Sequence, residues 1–210
     1  MELPGIPADL LGTLQEAVRV LGMQRLALVG GAVRDGLLHH VHHDAWRGLP
    51  DLDFVVEGSS EALATHLRDC LGAGRIPELR VHGSFGTVEM VLDGVWLDLA
   101  QSHTERYPEP GENPLVQPGR LQDDLLRRDF TVNAMALVLN QEGADPELLD
   151  LHGGQQDLAA RQLNFLHERS VEDDPTRVIR GARYAARLNF SLAPQALDQV
   201  QRTVDAWPWS

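Results

Sequence analysis

The sequence contains little cysteine and no long hydrophobic run, and each absence excludes a class of protein. Cys70 is the only cysteine among 210 residues, which excludes a framework of intramolecular disulfides and is typical of a reducing compartment. No apolar run is long enough to span a bilayer, and the N-terminus lacks the basic and apolar segments of a signal peptide. We therefore expect a cytoplasmic protein without membrane association.

Positive charge is also scarce. The chain has 18 basic side chains against 31 acidic ones, a formal net charge of −13. Nucleic-acid-binding proteins usually carry a basic surface, so RNA binding would require a local basic patch or parts that this chain lacks. A hydrophobic content of 43% and a charged content of 23% are those of an ordinary globular protein, long enough for one domain plus the start of another.

The spacing of apolar residues predicts a mixture of helices and strands. A β-hairpin is the clearest local feature, because Asp93-Gly94 favours a type I′ turn between strands at 87–92 and 95–100. Four prolines predict an extended loop over 103–119. The other predicted helices cover 1–24, 32–38, 59–71, 121–128, 154–163 and 173–188. The other predicted strands cover 26–29, 52–56, 131–139 and 147–150, with a turn over 143–146.

Acidic residues cluster on the predicted strands. Asp51 and Asp53 are two residues apart on one strand, so both carboxylates share a face, with their Cα atoms roughly 7 Å apart. Such a pair suits Mg²⁺, although in isolation it more often marks a solvated strand start. The hairpin register places Glu89 opposite Asp98, and like charges across a ladder repel. A nearby metal would relieve Asp98; alternatively, Glu89 turns into water.

A glycine pair follows the first predicted strand and precedes a helix. Gly30-Gly31 would let backbone N–H groups approach a phosphate at the helix N-terminus, and Arg34 could add a charge-assisted hydrogen bond. Alone, a Gly-Gly pair is usually only a turn.

The last predicted helix carries charged residues at successive steps of three: Asp174, Arg177, Arg180 and Arg183. They form one slanting stripe, and a solvated basic face is its ordinary interpretation. Cytosine and adenine each place an exocyclic amine beside a ring-nitrogen acceptor, whereas uracil and guanine place a carbonyl beside a ring N–H. An acceptor and a donor in fixed order, Asp174 and Arg177, therefore match C and A but not U and G.

Together these residues resemble the class II tRNA nucleotidyltransferase and bacterial poly(A) polymerase family, in order along nearly the whole chain. Leu28–Asp35 with Asp51–Asp53 is similar to the family's motif A, and Arg127–Ala134 to motif B, the most specific string. Asp150–Leu158 is similar to motif C, and Glu172–Arg177 to motif D.

The resemblance implies an α+β fold. Residues 1–168 would form a catalytic nucleotidyltransferase head like that of DNA polymerase β, with a mixed or antiparallel sheet and flanking helices. Residues 169–210 would begin an all-helical neck that selects the nucleotide, while the family's helical body and tail are absent. The implied activity is template-independent addition of C and/or A, from CTP and ATP, to the tRNA 3′ end.

The resemblance also implies the roles of individual residues. Asp51, Asp53 and Asp98 would be catalytic and bind two Mg²⁺ ions, which activate the RNA 3′-hydroxyl and orient the triphosphate. The implied nucleotide-binding residues are Gly30, Gly31, Arg34, Arg127, Arg128, Asp129, Asn133, Asp174, Arg177, Arg180 and Arg183.

The sequence departs from the family pattern in two places within the head. The loop after Arg34 is longer than usual and carries four histidines, for which solvated side chains are a commoner explanation than a metal site: His39, His40, His42 and His43. His103 stands where the family usually has arginine, at the start of the loop that follows the hairpin.

The choice of nucleotide stays open at this point. The loop over 105–119 is nearly full length, whereas CC-adding members shorten it, which favours addition of A or of CCA. The alternatives are poly(A) addition to other RNA, and a truncated, inactive nucleotide-binding module.

Overall fold

A computed structural model describes residues 4–7, 9–83, 86–139 and 146–206 of the chain. A seven-stranded mixed sheet forms its centre, in the order β3-β4-β5-β2-β1-β8-β9. The strands are β1 (Leu26–Val29), β2 (Leu52–Val56), β3 (Leu79–His82), β4 (Thr87–Leu92), β5 (Val95–Gln101), β8 (Met135–Leu139) and β9 (Glu147–Asp150). Strands β2 and β5 pair in parallel and the other neighbours are antiparallel.

Helices cover both faces of this sheet. They are α1 (Leu10–Val20), α2 (Gly31–His40), α3 (Ser60–Arg75), α4 (Leu121–Leu126) and α5 (Gly154–Ala160). The alternation of side chains along β1 explains the two layers: Leu26 and Leu28 join a large core with the first three helices, while Ala27 and Val29 face α4. The predicted α+β fold, a mixed sheet with flanking helices, is confirmed.

The C-terminal part is mainly helical. It contains α6 (Ser170–Asp173), α7 (Thr176–Leu188) and α8 (Pro194–Ala206). Two short strands, β10 (Gln162–Leu163) and β11 (Ser191–Leu192), pair in parallel. They connect this helical part to the segment that follows α5. No helix in the described part of the chain has the length and apolar character needed to cross a membrane.

The predicted hairpin is confirmed in position and register. Asp93 and Gly94 both have positive φ, as a type I′ turn requires, and Glu89 pairs with Asp98. Ser59 caps α3, since its Oγ accepts a hydrogen bond of 3.1 Å from the N–H of Ala62.

Several predicted boundaries were wrong. The first helix begins only at Leu10, after a turn over 4–5. The expected loop over 103–119 contains a second hairpin, β6 (His103–Arg106) and β7 (Leu115–Pro118). The strand expected from 131 begins at Met135, after a 3-10 turn over Thr131–Asn133. The helix expected to reach 163 ends at Ala160, because Arg161 adopts a left-handed conformation. Most of the turn predicted over 143–146 lies outside the described residues.

Candidate active site

A polar pocket of about 280 Å³ lies between the sheet and α7. Its lining combines residues from distant parts of the chain: Gly30, Gly31, Asp53, Glu105, Tyr107, Arg127, Arg128, Asp129, Asn133, Asp174, Arg177, Arg180 and Tyr184. Ten of these were predicted from the sequence, so the fold brings most of the candidate residues together in one cavity.

The predicted metal-binding carboxylates meet at the parallel pair of strands. Asp53 on β2 is the register partner of Asp98 on β5, and Asp51 lies exposed just before β2. Burial is the largest cause that raises the pKa of Asp53 to about 6; Arg128 opposes the rise, and Asp98 and Asp51 contribute to it. Burial also raises the pKa of Asp98, with smaller contributions from Glu89 and Asp51. Negative charge is therefore crowded here, and a cation would relieve it.

These side chains do not form a compact cage by themselves. In the parts of the chain that the structure covers, no three acidic, histidine or cysteine side chains are grouped closely enough to hold a metal ion. Only Asp53 of the three lines the pocket. The donor set still fits Mg²⁺, which takes one or two carboxylates and completes its shell with water and phosphate oxygens.

The glycine pair forms the floor of the pocket. Gly30 has φ of 69° and caps α2, and a Cβ atom there would lie 3.3 Å from Arg128 Nη1 and 3.4 Å from Asp53 Oδ2. A side chain at this position would therefore be strained and would crowd both charged groups. The turn exposes the start of α2 to the pocket, as an anion site requires.

Arg34 lies beneath the turn and outside the pocket lining. It is 1% exposed, and its guanidinium donates to Asp35 Oδ1 at 2.8 Å and to Asn133 Oδ1 at 2.6 Å. Its predicted contact with triphosphate stays a prediction, because the structure uses its donors to join α2 to the 3-10 turn.

A buried acid positions both arginines of the Arg127-Arg128 pair. Asp124 is fully buried and accepts hydrogen bonds from Arg127 Nη2 at 2.8 Å and from Arg128 Nη2 at 2.9 Å. Burial alone would raise the pKa of Asp124, but the two guanidinium charges outweigh it and hold the pKa below its ordinary value. Sequence reasoning missed Asp124, although its spacing of three and four residues from the arginines on a helix was a usable signal.

Asp129 connects the motif B segment to α7. Its Oδ1 accepts from the N–H of Phe130 at 2.8 Å and from Asn133 Nδ2 at 3.0 Å. Its Oδ2 accepts from Arg180 Nε at 2.8 Å. Asn133 also accepts a hydrogen bond from Arg34. One chain of hydrogen bonds therefore runs from α2 through the 3-10 turn to α7 and holds the pocket walls in place.

Asp174 and Arg177 both line the pocket, but the single helical stripe predicted for them was wrong. Asp174 has extended backbone angles (φ −137°, ψ 93°) between α6 and α7, and its Oδ1 accepts from the N–H of Thr176 at 3.0 Å. Arg177 is 3% exposed, and its Nη2 donates to the carbonyl of Arg127 at 2.8 Å. Within the described ranges, the buried Arg177 Nη1 has no hydrogen-bond partner, and Arg177 lines the pocket.

The fold leaves three other predicted residues outside the lining. Asp51 is exposed in front of β2, and Asp98 lies one strand further from the pocket. Arg183 is exposed on α7. Their predicted roles are not decided by the pocket geometry.

The second hairpin contributes residues that the sequence did not suggest. Glu105 accepts from Arg127 Nη1 at 3.1 Å and from the hydroxyl of Tyr107 at 2.9 Å. Burial would raise the pKa of Glu105, but hydrogen bonds from His103 and Tyr107 and the charge of Arg127 lower it overall. Burial and Glu105 raise the pKa of Tyr107 to about 12, so the phenol stays neutral and acts as a donor. His103 replaces an expected arginine and contacts Glu105 at 3.4 Å.

Of the histidines in the predicted loop, His39 and His40 lie in the last turn of α2, and only His42 and His43 lie in the loop that follows it. His39 Nδ1 lies 2.9 Å from the carbonyl oxygen of Asp44, and its ring lies 5.5 Å from that of Trp46. Asp44 in turn accepts two hydrogen bonds from Arg161, at 2.6 and 2.7 Å.

The motif C segment contacts the 3-10 turn that carries Asn133. Asp150 caps α5 by accepting from the N–H groups of Gly154 at 2.8 Å and Gln155 at 2.9 Å. Asp157 accepts from the hydroxyl of Thr131 at 2.5 Å and thereby fixes the 3-10 turn.

Comparison with known proteins agrees with this geometry. Residues 26–164 match the poly A polymerase head domain. The chain is 47% identical over 180 residues to the CC-adding tRNA nucleotidyltransferase of Deinococcus radiodurans, covering 83% of this chain and 44% of that protein. It is 41% identical over 183 residues to the A-adding tRNA nucleotidyltransferase of Aquifex aeolicus, covering 86% of this chain and 20% of that protein.

A solved structure is similar as well. A tRNA nucleotidyltransferase complexed with a primer tRNA and an incoming ATP analog superimposes with a TM-score of 0.73 at 33% identity, over 91% of this chain and 50% of that one. The chain thus spans about half or less of the proteins it matches. Because the match to the head domain covers well over half of its residues, the chain belongs to the poly A polymerase head domain family.

Proposed function

We propose that this chain is the catalytic head and the start of the neck of an enzyme that adds C and/or A to the 3′ end of tRNA. The observation that carries the proposal is the pocket itself, whose lining includes both Asp53, a carboxyl group of raised pKa, and the buried Arg177, whose Nη1 has no partner among the described residues. The relatives named above, which add C or A to tRNA, support the same reaction.

We propose that Asp51, Asp53 and Asp98 bind Mg²⁺. The mutual effect of these carboxylates on the pKa of Asp53 supports a cation there, and Arg128 cannot fully compensate them. When bound, the metal would lower the pKa of the RNA 3′-hydroxyl and stabilise departure of pyrophosphate. The protein's own part is to place the triphosphate against the Gly30-Gly31 turn, at the start of α2.

The nucleotide base would be read by Asp174 and Arg177. Arg177 Nη1 has no hydrogen-bond partner among the described residues and would donate to a ring nitrogen, while Asp174 Oδ2 would accept from an exocyclic amine. This order matches the edges of C and A and opposes those of U and G. Arg127 and Arg128, both held by Asp124, would fix the rest of the nucleotide, with Asn133 and Asp129 placing the segment that carries them.

We further propose that residues 1–168 are the head and that residues 169–210 begin the neck. Helix α7 would then close the nucleotide pocket from the neck side through Arg177 and Arg180. A cytoplasmic location follows from the proposed substrates, since tRNA, CTP and ATP are available there.

An incorporation assay tests the proposal. The chain is incubated with Mg²⁺ and each of the four nucleoside triphosphates, on tRNA ending before CCA, on tRNA ending after CC, and on unrelated RNA. We expect C or A to be added to tRNA and no addition of U or G. Addition of A to unrelated RNA would indicate poly(A) synthesis instead, and binding of CTP and ATP without incorporation would indicate an inactive module.

Variants connect the assay to the pocket. Arg177→Gln should lower the use of CTP and ATP by about tenfold or more relative to UTP and GTP, because one base-reading donor is lost. Asp51→Ala with Asp53→Ala should abolish incorporation. Unchanged selectivity in Arg177→Gln, in a protein that melts like the wild type, would contradict the proposed reading of the base.

A further inference from the structure

Helix α7 concentrates positive charge in an acidic protein. Its 13 residues include four arginines and no acidic residue, whereas the whole chain has a net charge of −13. Like charges three or four residues apart on a helix repel one another unless an anion lies between them. The positive charge of α7 is therefore not balanced by acidic residues within the helix.

The arginines divide into two groups along the helix. Arg177 and Arg180 line the nucleotide pocket, but Arg183 and Arg187 do not. At 100° and 1.5 Å per residue, Arg180, Arg183 and Arg187 fall within about 60° of one another and extend over about 10 Å along the axis. Positive charge thus continues out of the pocket along one side of α7.

Two side-chain contacts join α7 to α2. Arg187 Nη2 lies 3.6 Å from Asp35 Oδ2, and the Arg34 guanidinium lies 5.3 Å from the centre of the Tyr184 ring. Helix α2 begins at the glycine turn, so this side of α7 adjoins the place where phosphates are expected. Such a preformed surface binds a ligand with little loss of conformational entropy.

Arg183 is the uncompensated charge of this surface. It is exposed, and among the described residues no carboxylate lies within ion-pair distance of it. Its guanidinium lies 5.7 Å from the centre of the neighbouring Tyr184 ring. The adjacent exposed residues Ala182 and Ala186 are small, so a bulky ligand can approach the arginine closely.

We propose that Arg183 and Arg187 bind backbone phosphates of the acceptor RNA strand beside the nucleotide pocket. This inference rests on the proposed function. Guanidinium groups bind phosphate through two parallel hydrogen bonds, and the rise of about 6 Å from Arg183 to Arg187 is close to the spacing of successive phosphates. The acceptor strand is favoured over the incoming triphosphate because both arginines lie outside the pocket lining.

Equilibrium binding tests the proposal without turnover. Labelled tRNA lacking CCA, and a single-stranded RNA with the same 3′ sequence, are titrated with wild type, Arg183→Gln and the double variant Arg183→Gln/Arg187→Gln between 50 and 200 mM salt. ATP and CTP affinities are measured in parallel. Arg202→Gln is the matched control: it removes the same charge from an arginine that is 61% exposed on α8.

We expect Arg183→Gln to weaken RNA binding several-fold and to reduce the slope of log K against log salt by about 0.7, the value for one phosphate contact on a single strand. The double variant should lose about twice that slope, while ATP and CTP affinities change less than twofold. Arg202→Gln should behave as wild type.

Three results would overturn the proposal: unchanged RNA binding in Arg183→Gln, an equal loss of ATP and CTP affinity, or no measurable RNA binding by the wild type at low salt. An equal loss of nucleotide affinity would assign these arginines to the triphosphate. Failure of incorporation together with arginine-dependent RNA binding would contradict the proposed function alone.

Discussion

Replacing Asp53 by asparagine should make the metal-free protein more stable and inactive. Burial and neighbouring carboxylates raise the pKa of Asp53 from 3.8 to about 6. The folded state therefore holds a proton that the unfolded state has released between about pH 4 and pH 6, so stability falls as pH rises through this window. Above about pH 6 the ionised Asp53 lowers the free energy of unfolding by about 3 kcal/mol, which corresponds to the rise of its pKa from 3.8 to about 6.

Urea denaturation in EDTA measures this cost. At pH 8 we expect Asp53→Asn to be more stable than wild type by about 2 to 3 kcal/mol, because the uncharged amide removes the penalty. At pH 4.5 the difference should shrink to about 1 kcal/mol, since wild-type Asp53 is then mostly protonated in the folded state. Asp69→Asn, an exposed change on α3, is the control and should leave the free energy of unfolding nearly unchanged.

Magnesium adds a second readout. It should stabilise the wild type through binding to the folded state and leave Asp53→Asn nearly unchanged. A variant that is less stable than wild type at pH 8, or an advantage that persists undiminished at pH 4.5, would refute the electrostatic account. Stabilisation of both proteins by Mg²⁺ to the same extent would remove Asp53 from the metal site.

The local features of the fold were predictable because local chemistry specifies them. Asp93-Gly94 specifies both the hairpin and its register, and so places Glu89 opposite Asp98. Strand β2 was predicted with its observed bounds because its apolar run is short and follows a proline.

The missed hairpin has a physical explanation. The prolines predict an extended loop, yet Pro108 and Pro110 lie in the connection between the two strands and Pro114 precedes β7. Pro118 is the last residue of β7, at the end of a two-stranded ribbon where a missing N–H costs little. Because the sequence does not predict this hairpin, it does not predict that Glu105 and Tyr107 line the pocket.

The extended backbone of Asp174 has a cause that is visible in the sequence, namely the proline that follows it. Proline disfavours a helical conformation in the residue before it, and Pro175 leaves Asp174 extended. By contrast, the position of Arg34 depends on Asn133, which is 99 residues away in sequence. No pattern in one sequence specifies such a pairing, so the burial of Arg34 is known only from the tertiary structure.

The remaining predictions concern the supports of the site. Asp124→Asn should lower stability by about 3 kcal/mol or more and abolish incorporation, because both arginines of motif B lose their buried counter-charge; thermal melting and the incorporation assay check this. Gly154→Ala should lower stability by about 2 kcal/mol or more, since its Cβ would overlap the carbonyl of Thr131 and lie 2.8 Å from Met135 Cγ. Gly12→Ala on α1 is its control: among the described residues, no heavy atom outside the neighbouring helix backbone lies within 4 Å of the new Cβ, and a gain of up to about 1 kcal/mol is expected from helix propensity. Gly154→Ala should also weaken CTP binding where the protein remains folded, because the displaced 3-10 turn carries Asn133. Equal stability of the two glycine variants would contradict the close packing at Gly154, and unchanged CTP binding in a folded Gly154→Ala protein would contradict the supporting role of motif C.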